Sequence, residues 1–187
     1  MTPLRCFAGF LLLFHLSEFL FVLWVHPDEC SWAAWLLTPA YVGALSFSVA
    51  EHWLWHRRPH ESVWEQKALY WGVLLCVTGE IVRKSAMFTL RSAFSHRITR
   101  RRLKAHCLCT RGIYARCRHP AYLGWWLWTI GMQLLLGNRI SNVVLPLIAW
   151  RFFQQRIAYE DALLHQMFGR AYLQYWRRTP SGLPGIR

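Results

Sequence analysis

Residues 111–124 read Arg-Gly-Ile-Tyr-Ala-Arg-Cys-Arg-His-Pro-Ala-Tyr-Leu-Gly, and this stretch indicates how the chain folds. It places three arginines, a histidine and two tyrosines directly before an apolar segment rich in tryptophan. Basic and aromatic side chains gather in this way where a membrane helix meets water on the cytosolic side. We therefore expect an all-α integral membrane protein in which residues 111–124 form a cationic, hydrogen-bonding edge beside the bilayer.

The composition of the 187 residues also favours a membrane protein. Hydrophobic residues make up 55% of the chain and charged residues only 17%, and the apolar residues come in long blocks. The formal net charge of +13 is compatible with nucleic-acid binding, but the basic residues flank apolar blocks and match no nucleic-acid motif. We expect membrane lipids, and no nucleic acid, as partners.

Apolar blocks long enough for about three full transmembrane helices lie at residues 6–25, 32–54 and 68–90. No small-residue cleavage site follows the first block, so we expect a retained span rather than a signal peptide. The loop of residues 91–118 is the most basic and should be cytosolic.

Two shorter blocks, 122–136 and 140–153, predict a helical hairpin with its turn at Gly137-Asn138. From Arg151 to about Trp176, apolar residues recur at helical spacing. This pattern predicts a C-terminal amphipathic helix that Gly169 interrupts without ending.

Ionisable residues within a span are costly and need a reason. Glu80 can reach Arg83 and Lys84 within one helical turn, so the three residues either neutralise one another or leave Arg83 turned toward an anionic substrate. Two further pairs, Glu18 with His15 and Glu51 with His52, are expected to be interhelical hydrogen-bond partners without a catalytic role.

Arg156 and Glu160 are spaced to face each other on the last predicted helix. They form either a structural ion pair or a site for a charged ligand, and Asp161 adds a second acid beside them.

Metal binding is a third possibility. Cysteines and histidines lie in a short window, but their spacing matches no common zinc module, so we expect no metal and reduced cysteines. The ligand types are His106, Cys107, Cys109, Cys117 and His119.

The chain lacks a Ser-His-Asp set, a glycine-rich phosphate loop and a Rossmann fingerprint. A rim of arginines, histidines, tyrosines and a carboxylate is compatible with methyl transfer from a sulfonium donor to a carboxylate, although composition does not select that reaction. Such a transfer needs orientation, desolvation and a nearby arginine rather than a general base.

The sequence resembles the isoprenylcysteine carboxyl methyltransferases, membrane enzymes that methylate the C-terminal prenylated cysteine of CaaX-processed proteins. The matching segments are Gly-Glu-Ile-Val-Arg-Lys-Ser-Ala-Met-Phe-Thr at 79–89, His106, Gly-Ile-Tyr at 112–114, Arg-His-Pro-Ala-Tyr-Leu-Gly at 118–124, Trp-Arg-Phe-Phe at 150–153, the acids at 160–161, Phe-Gly-Arg-Ala-Tyr at 168–172 and Ser-Gly-Leu-Pro at 181–184. The 118–124 element is shared by a wider group of membrane methyltransferases, whereas the segment from Arg83 and the Gly-Leu-Pro tail are typical of the isoprenylcysteine branch.

The resemblance implies S-adenosyl-L-methionine as cofactor and a prenylated C-terminal cysteine as substrate. It implies that Arg156 contacts the prenylcysteine and that Arg83 lies near the active site, so both are candidate catalytic and substrate-binding residues. The implied cofactor-binding residues are His106, Cys107, Leu108, Cys109, Tyr114, His119, Pro120, Ala121, Tyr122 and Glu160.

The resemblance also implies an architecture and a location. Transmembrane helices in residues 1–90 and a catalytic region in residues 91–187 would form one integrated membrane domain, with a cytosol-facing cofactor pocket, in the endoplasmic reticulum. Three departures from the family stand out: Thr99 replaces a glutamine, Asp161 replaces a second glutamate, and the chain starts later than its animal relatives. The alternatives are a phospholipid or other lipid methyltransferase and a non-catalytic membrane interaction protein.

Overall fold

The computed structural model describes residues 2–55, 63–96 and 107–187. These residues form six α-helices joined by short 3₁₀ turns, and they contain no β-strand. The helices are α1 (Pro3–Val25), α2 (Pro39–Trp55), α3 (Val63–Leu90), α4 (Pro120–Leu136), α5 (Ser141–Phe168) and α6 (Arg170–Arg178). The expected all-α fold is confirmed.

Helices α3 and α4 form the central antiparallel pair, and glycines let their backbones approach closely. Gly72 and Gly79 on α3 face Gly131 and Gly124 on α4. A β-carbon at Gly79 would lie 2.6 Å from the Gly124 carbonyl oxygen, and one at Gly131 would lie 2.8 Å from the Gly72 carbonyl oxygen. Small residues at crossings are typical of membrane helices. The pair brings the C-terminal end of α3 beside the N-terminal end of α4.

Helix α1 packs on α4 through aromatic side chains and exposes apolar side chains elsewhere. The rings of Phe14 and Trp128 lie 4.5 Å apart between their centroids. Leu13, Leu20 and Trp24 remain exposed on α1. Within the three described ranges, α1 alone is long and apolar enough to cross a membrane by length and composition. The expected number of full spans therefore stays a prediction.

The second predicted span begins later than the apolar pattern indicated. The prediction began at Trp32, whereas α2 begins at Pro39 and the chain from Trp32 to Trp35 forms a 3₁₀ turn. Leu36 has a φ of 58°, which interrupts a right-handed helix, and a proline is well suited to the first helical turn.

The second arm of the hairpin and the first part of the predicted amphipathic helix are one continuous helix, α5. The prediction that Gly169 interrupts the helix without ending it is wrong. Gly169 has a φ of 55° and a ψ of −126°, which lies outside the helical region, so α5 ends at Phe168 and a separate α6 follows.

The predicted hairpin turn is confirmed, and Glu51 fastens it to α2. Gly137 has a φ of 64° and ends α4 in the left-handed conformation that favours glycine. The Glu51 carboxylate accepts hydrogen bonds from the backbone amides of Arg139, Ile140 and Ser141 at 2.7–2.9 Å. Glu51 thus satisfies amides at the start of α5 that have no helical partner.

The two histidines expected to bond between helices do so. His52 places Nδ1 2.7 Å from the Leu136 carbonyl oxygen on α4. His15 places Nδ1 2.7 Å from the Trp35 carbonyl oxygen and Nε2 3.1 Å from the Tyr41 hydroxyl. These bonds fasten α1 and α2 to their neighbours, which agrees with the structural role expected from the sequence.

Candidate active site

A cavity of about 860 Å³ lies between α2, the end of α3, α4, α5 and α6. The structure brings most of the predicted site residues to its wall: Arg83, Cys107, Leu108, Cys109, Tyr114, His119, Ala121, Tyr122, Arg156 and Glu160. Pro120 begins α4 and is buried, but it does not line the cavity. His106 and Thr99 lie outside the described residues.

Tyr122 joins the two charged residues that the helical spacing predicted to face each other. Its hydroxyl donates to Glu160 Oε2 at 2.6 Å, and Arg156 Nε donates to the same hydroxyl oxygen at 2.9 Å. Arg156 Nη2 also donates to the His96 carbonyl oxygen at 2.6 Å. Arg156 and Glu160 are therefore connected through a neutral group that α4 contributes.

His119 lies between two carboxylates of α5. Its Nε2 is 2.7 Å from Asp161 Oδ1, and its Nδ1 is 3.6 Å from Glu160 Oε2. Burial alone would lower the pKa of His119, but the hydrogen bonds to Asp161 and Glu160 outweigh it, so this pKa lies above its ordinary value. Burial raises the pKa of both acids and His119 lowers it, with a net lowering for each. The geometry thus favours an imidazolium between two carboxylates.

Arg118 supports this network through Asp161. Its Nη2 donates to Asp161 Oδ2 at 3.1 Å, and its Nη1 donates to the carbonyl oxygens of Trp176 and Thr179 at the end of α6. The Tyr172 hydroxyl also donates to Asp161. Asp161 therefore binds three side chains, those of His119, Arg118 and Tyr172, and holds His119 in one orientation.

The chain after α6 packs against the segment of residues 111–124. The backbone amide of Arg118 donates to the Pro180 carbonyl oxygen at 2.9 Å, and that of His119 donates to Ser181 at 3.1 Å. The Cys117 thiol is buried and donates to the Ser181 carbonyl oxygen at 3.0 Å.

In the described part of the chain, histidine, cysteine and acidic side chains form no group of three or more suited to a metal ion.

Arg83 is held by a partner that sequence reasoning did not assign to it. Its Nε and Nη2 donate to the two carboxylate oxygens of Glu18 at 2.8 and 2.7 Å, and Lys84 also binds Glu18. The proposed self-neutralised trio is therefore only partly correct, because Glu80 pairs with Lys84 at 3.6 Å while Arg83 turns to α1. Spacing within one helix predicted Glu80 as the partner of Arg83. Glu18 lies 65 residues away in the sequence, so no local pattern indicated it.

Arg83 also reaches the start of α4. Its Nη1 donates to the Ala121 carbonyl oxygen at 3.1 Å, and its guanidinium carbon lies 4.9 Å from the centre of the Trp125 ring. The residue is 2% exposed, so the bidentate pair with Glu18 is sealed from water. Glu18 and Trp125 thus orient a buried cation at the wall of the cavity.

The cavity extends from this polar end into an apolar region. Its apolar wall comes from α2, α4 and α5 and includes Leu45, Trp125, Trp128, Leu145, Ile148 and Phe152. Because Ile148 and Phe152 are exposed on α5, this region borders the surface that a bilayer would cover. This wall could not be predicted from the sequence, because its residues are typical side chains of membrane helices.

Three kinds of similarity relate the chain to known proteins. The profile of the isoprenylcysteine carboxyl methyltransferase family matches residues 72–166. Protein-S-isoprenylcysteine O-methyltransferase from Mus musculus is 40% identical and covers 94% of this chain. Protein-S-isoprenylcysteine O-methyltransferase B from Arabidopsis thaliana is 36% identical, and the match covers 94% of this chain and 90% of that protein.

A solved structure has the same fold. The eukaryotic intramembrane Ras methyltransferase superposes with a TM-score of 0.92 at 31% sequence identity, covering 98% of this chain and 67% of that one. The chain spans 62% of the length of the Mus musculus protein. Profile, sequence and fold agree, and the chain belongs to the isoprenylcysteine carboxyl methyltransferase family.

Proposed function

We propose that this chain transfers a methyl group from S-adenosyl-L-methionine to the α-carboxylate of a prenylated cysteine at the end of a CaaX-processed protein. The observation that carries the proposal is the shape of the 860 Å³ cavity. Its polar end holds Arg156 and Glu160 on either side of the Tyr122 hydroxyl, and its other end is apolar. A substrate with a carboxylate on a lipid tail has the same two parts.

The residues at the polar end fit the cofactor. Glu160 provides a carboxylate, and Tyr114, Tyr122 and Tyr175 provide aromatic faces, which together suit a ligand that bears a sulfonium and an ammonium group. Tyr114 sits in the 3₁₀ turn Gly112–Ala115, where its carbonyl oxygen accepts the Tyr175 hydroxyl at 2.6 Å. S-adenosyl-L-methionine, when bound there, supplies an activated methyl group.

The chain's own residues have the simpler tasks of orientation and desolvation. A carboxylate acceptor carries no proton that a base must remove, so the site needs only to hold one carboxylate oxygen toward the donor. Arg156 can bind that carboxylate, since it lines the cavity and a guanidinium forms charge-assisted hydrogen bonds to a carboxylate. Arg83 lines the same cavity, where its hydrogen bonds to Glu18 and to the Ala121 carbonyl oxygen fix it.

The location of the site in the cell follows from the same proposed function. We place the chain in a membrane, with the endoplasmic reticulum as its compartment and the polar end of the cavity facing the cytosol, because the basic loop of residues 91–118 favours that side. The substrate enters sideways from the bilayer past the exposed face of α5, and the donor enters from water. An intramembrane relative of the same fold supports the membrane location.

The test is transfer of labelled methyl from S-adenosyl-L-methionine to N-acetyl-S-farnesylcysteine in membranes that contain this chain. We expect methylation of the farnesylcysteine and none of phosphatidylethanolamine. Arg156→Ala should reduce the rate by about tenfold to a hundredfold, because a charge-assisted contact to the carboxylate is lost. Arg151→Ala is the matched control, since Arg151 lies on the same helix, is exposed and does not line the cavity.

The outcomes separate the alternatives. Methylation of phosphatidylethanolamine alone would identify a phospholipid methyltransferase with the same donor site. Absence of donor binding by wild-type protein would favour a non-catalytic membrane protein. Equal rates for wild type and Arg156→Ala on farnesylcysteine would refute the assignment of Arg156 to the substrate carboxylate.

A further inference from the structure

A second cavity, of about 480 Å³, lies between α6 and the tail and on the far side of Arg118 from the first. Its wall carries four arginines, namely Arg118, Arg177, Arg178 and Arg187. The last three are exposed, whereas Arg118 is 4% exposed. No acidic side chain lines this cavity among the described residues.

Trp176, which also lines the second cavity, contacts the guanidinium groups of two of these arginines. The guanidinium carbons of Arg118 and Arg187 lie 5.3 and 5.6 Å from the centre of the Trp176 ring. Contact with an aromatic face holds a guanidinium plane without using its hydrogen-bond donors. The donors of Arg187 are therefore oriented around the cavity while they remain available to a ligand.

Arg118 is the buried member of the four arginines. Its Nη1 and Nη2 are bound to the end of α6 and to Asp161. Its Nε is buried and has no hydrogen-bond acceptor within residues 2–55, 63–96 and 107–187. A buried donor of this kind costs stability unless an acceptor reaches it. A cavity whose wall carries four guanidinium groups and, among the described residues, no acidic side chain is suited to an oxyanion.

We propose that this cavity binds a phosphate anion, and that the phosphate belongs to the headgroup of an acidic phospholipid. Several guanidinium forks around one space match a phosphate group better than a carboxylate, because phosphate offers more acceptor oxygens. Free phosphate has the same chemistry. The headgroup is favoured as the source because α6 follows α5, whose earlier turns expose Val143, Leu147 and Ile148 to the surface that a bilayer would cover.

Arg118 connects this site with the first cavity. It lines both cavities and binds Asp161, which in turn holds His119 at 2.7 Å. An anion at the second cavity would fasten α6 and the tail to Arg118 and so hold His119 and Glu160 in place. The effect on catalysis rests on the proposed function, whereas the binding of phosphate does not.

The binding test uses the full chain in neutral detergent micelles and follows its unfolding temperature. The probes are dioctanoyl phosphatidic acid, dioctanoyl phosphatidylcholine and inorganic phosphate. We expect phosphatidic acid to raise the unfolding temperature with saturation and phosphatidylcholine to leave it unchanged, because a ligand that binds only the folded state stabilises it. The double variant Arg177→Glu/Arg178→Glu should require about tenfold or more phosphatidic acid for half of the shift.

Arg170→Glu is the matched control. Arg170 is exposed and lies on α6, but it does not line the cavity, so its reversal makes a charge change of the same sign outside the site, half as large as that of the double variant. The half-saturating concentration should stay within about twofold of wild type for this variant. A shift with phosphatidic acid but not with inorganic phosphate supports the headgroup, and equal shifts support the site with free phosphate as its ligand.

Three results would overturn the proposal. They are an unfolding temperature that phosphatidic acid does not change, identical titrations for wild type and the double variant, and equal weakening by Arg170→Glu and the double variant. Methyl transfer is measured separately on the same preparations. A protein that binds phosphatidic acid but does not methylate farnesylcysteine would refute the proposed function and leave this site intact.

Discussion

Replacing Glu18 with glutamine should be the most destabilising single change near the site. Glu18 is 0% exposed and Arg83 is 2% exposed, so solvent does not screen their bidentate contact. Removing one partner of such a buried pair costs about 3–5 kcal/mol, because the remaining charge stays buried. Glu18→Gln also removes the charge that binds Lys84. We expect this loss in the free energy of unfolding, measured by denaturant titration in mixed micelles.

Glu80→Gln is the matched control, because Glu80 binds the same Lys84 from within α3. That contact is longer, at 3.6 Å, and Lys84 is 20% exposed, so its loss should cost at most about 1 kcal/mol. A second comparison isolates the pair. Glu18→Leu combined with Arg83→Met should cost less than Glu18→Gln alone, because no charge is left buried without its partner. Equal losses for Glu18→Gln and Glu80→Gln would refute this reasoning.

Three further predictions concern the helix crossing, the acid–histidine network and the bridging hydroxyl. Gly79→Ala should lower the free energy of unfolding by about 1–3 kcal/mol, because its β-carbon meets a backbone carbonyl of α4, whereas Gly43→Ala has open space and should not destabilise. The raised pKa of His119 contributes stability that is complete below its ordinary value of 6.5 and is lost as pH rises through the folded-state pKa. Unfolding measured from pH 6 to pH 9 should therefore show a larger loss for wild type than for His119→Gln, and parallel curves would contradict the assignment. Tyr122→Phe removes the hydroxyl bridge and should raise the KM for farnesylcysteine by about tenfold, with Tyr159→Phe, an exposed tyrosine of α5, as the control.

The sequence predicted the features of the fold that local chemistry determines. The apolar runs located the ends of α1, α3 and α4 at Val25, Leu90 and Leu136, and glycine at position 137 marked the turn. The predicted helix boundaries were wrong where one helix passes from an apolar sequence into an amphipathic one. Helix α5 passes from an apolar to an amphipathic segment without a break, because hydrophobic periodicity reports the surroundings of a helix and not its continuity.

The contacts of the site were beyond sequence reasoning for a different reason. Glu18 binds Arg83 across 65 residues, and Asp161 binds Arg118 across 43. Such partners are chosen by how α1 and α5 pack on the α3–α4 pair, and one sequence contains no signal for that packing. The sequence contained one relevant signal, the position of Glu18 within an apolar block. A carboxylate at such a position is costly unless another group compensates its charge.

The Arg156–Glu160 pair shows how one missing contact changes the chemistry that is inferred. Spacing on a single helix predicts a direct ion pair, and in a direct pair each charge would largely cancel the field of the other. The Tyr122 hydroxyl instead accepts from Arg156 and donates to Glu160, so both side chains are oriented while their charges remain apart. A cation-binding carboxylate and an anion-binding guanidinium can then serve two ligands in one cavity. The proposed methyl donor is a cation and the proposed acceptor is a carboxylate, so this separation suits both, and the packing of α4 against α5 supplies it.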